Sequence, residues 1–162
     1  MEFFFQSPLG FFHTVCALVS LVTGFIVLRN IKGTKFHKKV GYIYSIAMIS
    51  LNLSAIPITN LFNGFGPFHF FIVMSLPTII VGLYLPIFGR HFKNWQRNHF
   101  ECMCYSYIGL VSAAIAEIVM RVPLALAVKS MNQYVIAVFV LGALVGFIGY
   151  FYVLKYKKQK FS

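Results

Sequence analysis

The positions of the charges constrain this chain more than any other feature. Lys and Arg gather in three clusters separated by long apolar runs: Arg29, Lys32, Lys35, Lys38 and Lys39; Arg90, Lys93 and Arg97; Lys155, Lys157, Lys158 and Lys160. The alternate gaps, around Asn60–Pro67 and Ser130–Gln133, carry no charge, and Lys129 only borders the second. Basic clusters at every second loop are the positive-inside pattern of a polytopic membrane protein. The pattern predicts an amino terminus outside and a carboxyl terminus in the cytoplasm, across a cytoplasmic cell membrane.

Composition supports the same class. Of 162 residues, 59% are hydrophobic and 10% charged, too apolar for a surface that faces water. A helix needs roughly 20 apolar residues to cross the hydrocarbon core. Five stretches meet that length, at 9–28, 40–60, 68–88, 100–120 and 134–154. The expected fold is therefore an all-α transmembrane bundle of about five spans, forming a single integral membrane domain over residues 1–162. The loops leave no room for a soluble domain. Residues Met1–Phe5 lack a basic n-region, so the first apolar run is expected to remain as a helix.

The net charge of +11 does not call for nucleic acid, because the three clusters account for most of it at one membrane face, where they meet anionic lipid. Cys16, Cys102 and Cys104 form no disulfide framework and read as small packing residues. Pro77 falls inside the third span and is expected to kink it, and Pro123 to bend or end the fourth. Gly142 and Gly146 make a small-x-x-x-small step in the last span. It reads either as a homodimer contact or as packing against the other helices.

Ionisable side chains inside a bilayer are costly, so each is a candidate for function. His13 and His69 fall near the outer ends of the first and third spans, and His37 and His99 near the cytoplasmic starts of the second and fourth. His91, in a basic loop, reads as solvated. Residues three or four apart share a helix face. From His13 that face carries Ala17, Ser20 and Gly24; from His37, Gly41, Ser45, Met48 and Asn52; from His99, Met103, Ser106, Leu110, Ala113, Glu117 and Arg121. His69 is followed on its face by Val73 and Leu76. Glu117 and Arg121, four apart, read as a structural ion pair within the membrane, or as a ligand and an anion holder.

Two runs carry a resemblance. Lys32–Tyr44, with His37, Lys38, Gly41 and Tyr44, resembles a His-basic-x-x-Gly-x-x-Tyr signature. His99, Met103, Ser106 and Tyr107, followed by Ala113, Ala114, Arg121 and Pro123, is similar to a second signature of the same family. That family comprises predicted bacterial multi-pass membrane proteins of unknown function. Its members often carry Arg between the Met and the Ser, where this chain has Cys104 and Tyr105. The resemblance implies architecture and leaves the activity open.

The four histidines also resemble those of two-haem b-type membrane cytochromes, which place one His on each of four successive helices. That resemblance implies haem b between His13 and His69 and between His37 and His99, with Gly24, Gly41 and Gly109 against the macrocycles and Lys38 and Lys39 near the inner propionates. Three functions stand side by side. The first is transmembrane electron transfer through haem. The second is handling or assembly of zinc, copper or iron, through His13, His69 and Glu117 or through His37, His99, Cys102 and Met103. The third is a structural or accessory role without a cofactor. No hydrolase triad, P-loop or pore filter is present in the sequence, and nothing in it specifies a redox partner. A reporter fused after Ser162 should behave as cytoplasmic and one inserted within Asn63–Gly66 as external. The reverse pattern would contradict the charge argument.

Overall fold

The computed structural model describes residues 7–58, 64, 66–121 and 131–161. They form five helices: α1 (Pro8–Arg29), α2 (Lys35–Ala55), α3 (Pro67–Ile87), α4 (Trp95–Arg121) and α5 (Met131–Phe161). Local chemistry sets the boundaries. Ser7 caps α1 by accepting from the Gly10 N–H at 3.1 Å, with Pro8 in the first turn, where its missing N–H costs nothing. At the other end, Lys32 folds back and donates to the Val27 and Leu28 carbonyls at 2.8 and 2.6 Å, two of the acceptors that a helix end leaves open. Gly33, with φ of 84°, turns the chain, and Thr34 caps α2 through the His37 N–H at 3.1 Å.

α2 is displaced as a whole from the sequence expectation. It begins at Lys35 rather than near residue 40, because Thr34 is a good cap, and it ends at Ala55 rather than near residue 60. Pro57 lies just beyond, and it has no N–H to give the Leu53 carbonyl four residues earlier, so the helical ladder stops there although Ile56 keeps helical angles. α4 and α5 also run past the apolar stretches that predicted them. Among the described residues, four helices are long and apolar enough to cross a membrane, over Pro8–Arg29, His69–Ile87, Trp95–Ile118 and Val135–Lys158. α2 falls short by composition: its first turns hold Lys35, Lys38 and Lys39, and its body holds Ser45, Asn52 and Ser54.

The packing explains those polar residues. α1 contacts α2, α2 contacts α3, α3 contacts α4, and α4 returns to α1, so four helices surround one interior. α5 lies outside the ring against α4 and, more lightly, α3. Cys16, Tyr44, Met48, Leu51, Ile79, Met103 and Leu110 fill the interior together with buried Ser20, Ser45, Asn52, Ser75 and Ser106. Large apolar side chains point the other way, among them Phe12, Leu18, Val22, Val73, Phe147 and Ile148. The interior mixes apolar side chains with hydrogen-bonded polar ones, and the strongly apolar exterior departs from that of a water-soluble protein. This surface is suited to lipid.

α5 is held along one face. Phe100 stacks on Tyr156 with centroids 5.3 Å apart, Glu101 meets Lys157 at 2.6 Å, and Gly149 lies against Ile108. Gly142 lies against Phe71 of α3, whereas among the described residues no atom of another helix lies within 4 Å of where a Cβ on Gly146 would stand.

Among the glycines of the ring helices, Gly24 has the least room for a side chain. A Cβ there would stand 2.6 Å from Tyr107 Cε2 and 2.8 Å from Tyr44 Cε2. Overpacking of this kind costs typically ~1–3 kcal/mol. Gly24→Ala should therefore lower the melting temperature in detergent, while Gly146→Ala, facing open space, should leave it unchanged. Equal effects would show that α1 does not rest on the two tyrosines.

Candidate functional site

The two runs that carry the sequence resemblance meet in the interior. Tyr44, which closes the first run, donates its hydroxyl hydrogen to Ser106 of the second at 2.8 Å, and Ser106 in turn donates to the Met103 carbonyl at 2.9 Å. Tyr107, the next residue, donates across to the Leu21 carbonyl of α1 at 3.2 Å. The Tyr44 and Tyr107 rings lie 6.3 Å apart and tilted by 56°, with Gly24 of α1 between them. One node thus joins α1, α2 and α4. A second joins α2 to α3: Asn52 donates to the Met48 carbonyl at 2.7 Å and accepts from the Ser75 hydroxyl. Other hydroxyls satisfy themselves on their own helix, as Thr14 does on Gly10, Thr23 on Val19 and Ser45 on Gly41. Ser20 departs from the rule, being fully buried with no hydrogen-bond partner among the described residues.

Three of the histidines tie one segment to another. Ser54 gives its hydrogen to the Leu51 carbonyl, so His13 Nδ1–H donates to Ser54 Oγ at 3.1 Å, fastening α1 to the end of α2. His69 uses both ring nitrogens. Nδ1 accepts from the Gly66 N–H at 3.2 Å, capping α3, and Nε2–H donates to the Ile56 carbonyl at 3.3 Å, just past α2. His13 and His69 therefore both attach to the same end of α2, through residues 54 and 56.

His99, at the basic end, donates from Nδ1–H to the Gly82 carbonyl of α3 at 2.6 Å. The sequence explains why that carbonyl needs a donor. In an unbroken helix it would accept from the N–H of residue 86, but residue 86 is proline. His99 replaces the backbone donor that Pro86 removes. Met103 and Cys102 cover the same glycine, at 2.9 Å (Sδ) and 3.3 Å (Cβ) from where its Cβ would be. His37, in the first turn of α2, is half-buried; its backbone N–H binds the Thr34 cap. His91 is exposed beside Phe92.

Glu117 is half-buried on α4, and the side chain of Arg121 lies outside the described residues, so the expected pair between them does too. A different acid emerges instead. Glu101 accepts from Arg97 Nε at 3.1 Å on its own helix and from Lys157 Nζ at 2.6 Å on α5. The spacing of Arg97 and Glu101, four apart, was visible in the sequence; the approach of Lys157 was not.

The haem arrangement implied by the cytochrome resemblance meets a poor fit at two points. With Nδ1 accepting and Nε2 donating, His69 has no lone pair left for iron. The slot at Gly24 is filled by the rings of Tyr44 and Tyr107. For metals, no three His, Cys, Asp or Glu side chains gather closely enough to hold an ion among the described residues.

A helix bundle with hydrogen-bonded polar groups in its core and an apolar exterior defines a polytopic integral membrane protein. The chain belongs to the family described as "Predicted membrane protein (DUF2306)", whose model matches residues 10–154. Neither a curated protein nor a solved structure matches it.

The link between His99 and Pro86 makes a double-mutant cycle informative. His99→Ala leaves the Gly82 carbonyl without its donor and should destabilise by about 1 kcal/mol. Pro86→Ala restores a backbone N–H, so His99→Ala should cost clearly less in that background. Additive melting shifts for the two changes would show that the carbonyl does not depend on the imidazole.

Proposed function

We propose that this protein is a multi-pass protein of the cytoplasmic membrane with an accessory or scaffolding role. Its histidines fasten helices rather than hold haem. The amino terminus lies outside and the carboxyl terminus in the cytoplasm, as the basic clusters favour. The reading rests on one observation: His13, His69 and His99 each bond a different segment of the chain, at Ser54, Ile56 and Gly82. A ring that joins two segments in lipid contributes to the fold directly, because a polar group left bare there is costly.

A second reading, metal handling, is favoured by one specific arrangement. His99, Cys102 and Met103 converge on Gly82, and the Nδ1–H of His99 is held by a carbonyl, the outer-shell orientation common for a ligating imidazole. Imidazole with sulfur suits copper. His37 belongs to the same sequence-derived ligand set.

The visible spectrum and metal content of the purified protein separate these readings. Fastening histidines predict no Soret band and no stoichiometric zinc, copper or iron, with His13→Ala, His69→Ala and His99→Ala each lowering the melting temperature. A Soret band removed by both His13→Ala and His69→Ala would overturn the proposal in favour of haem. Stoichiometric copper lost in Met103→Leu would overturn it in favour of the second reading.

A further inference from the structure

Among the described helices α2 is the one without a stretch apolar enough to count as a span, yet its outward face is ordered along its length. Lys35, Lys38 and Lys39 are spaced three and four apart, so all three lie on one side of its first turns, and all three are exposed. The same side continues through Tyr42 (48% exposed), Ile46 (64% exposed), half-buried Ile49 and Leu53 (53% exposed). The opposite side holds Tyr44, Met48, Leu51 and Asn52, which face the ring interior. α2 therefore presents a cationic head and an apolar tail in one stripe. From Lys39 to Ile49 the stripe rises ~15 Å at ~1.5 Å per residue. That is half of a hydrocarbon core of about 30 Å, the depth of one lipid leaflet.

The cations of this stripe are uncommitted, unlike others at the same end. Lys32 is bound to the carbonyls of α1, Arg90 Nε donates to the Pro86 carbonyl, and Arg97 and Lys157 share Glu101. Among the described residues, no carboxylate or carbonyl pairs with the ammonium groups of Lys35, Lys38 or Lys39. An occupant must supply negative charge at the mouth of the stripe and hydrocarbon along the rest.

We infer that the outer face of α2 is a seat for an anionic phospholipid. Its phosphate lies among Lys35, Lys38 and Lys39, and an acyl chain runs along Tyr42 and Ile46 toward Leu53. The seat goes beyond the fastening role of the histidines, involves none of them, and stands or fails separately from it. Three ammonium groups beside one phosphate would favour anionic over zwitterionic lipid by roughly tenfold or more after screening.

Native mass spectrometry of the full chain tests this in detergent micelles, where orientation plays no part. The micelles are titrated with phosphatidylglycerol or phosphatidylcholine of identical acyl chains. Wild type should retain phosphatidylglycerol roughly tenfold better. Lys35→Gln/Lys38→Gln/Lys39→Gln should lose that preference, and the corresponding triple Arg variant should keep it. Lys155→Gln/Lys158→Gln, removing exposed cations of α5, should also keep it. Excess inorganic phosphate should not displace the lipid, since it offers nothing to the apolar stripe. Melting temperatures in pure phosphatidylcholine micelles report whether each variant folds; if the triple Gln variant does not, Lys35→Gln/Lys39→Gln takes its place with the same expected loss. Equal retention of the two lipids by wild type would overturn the inference. So would equal losses in the α2 and α5 variants, which would signal a general basic belt, or displacement by phosphate, which would signal a simple anion site.

Discussion

In hydrocarbon a backbone or side-chain polar group has no water to turn to, and this constraint organises the whole molecule. Four helices enclose an interior in which nearly every buried oxygen or nitrogen has a partner within the chain. Tyr44 reaches Ser106, Tyr107 reaches the carbonyl of Leu21, and Asn52 lies between Met48 and Ser75. The hydrophobic effect supplies no preference between a leucine facing lipid and one facing another helix. Specific helix neighbours then come from close packing, as at Gly24, and from these bonds.

The class of fold was legible because it depends on quantities additive along the chain: apolar length, the alternation of basic clusters, and small residues at helical spacing. The faces drawn from His37 and His99 also turn inward, with Ser45, Met48, Asn52, Met103, Ser106 and Leu110 all buried. Boundaries were less legible, because hydropathy ignores capping. Thr34 starts α2 among lysines that a hydropathy window excludes, and Pro57 closes it while the apolar pattern still runs on. The site was legible as a set of residue types but not as a set of partners. Tyr44 and Ser106 stood out in separate runs, 62 residues apart, with nothing in either to say that one bonds the other.

The histidines show the same limit in sharper form. Their levels in the membrane suggested pairing with one another across the bundle. Their observed partners are instead a serine and two carbonyls, and carbonyls are invisible to any reading of side chains. The relation between His99 and Pro86 needed two facts together: that proline strips a donor from the carbonyl four residues earlier, and that α4 presents an imidazole at that height. The first could be read from the sequence alone. The second is tertiary.

That relation has a consequence for how the molecule is made. During insertion α3 precedes α4, and until α4 arrives the Gly82 carbonyl has lost its own helix's donor and has not yet gained another. A solitary α3 would enter lipid with a bare acceptor near its end, an unfavourable state that the next helix relieves. The two helices and the short connection between them, residues 88–94, therefore behave as one unit of assembly, a hairpin more comfortable in the bilayer than its first half. An early step of biogenesis is thus written into a single proline and the imidazole that answers it.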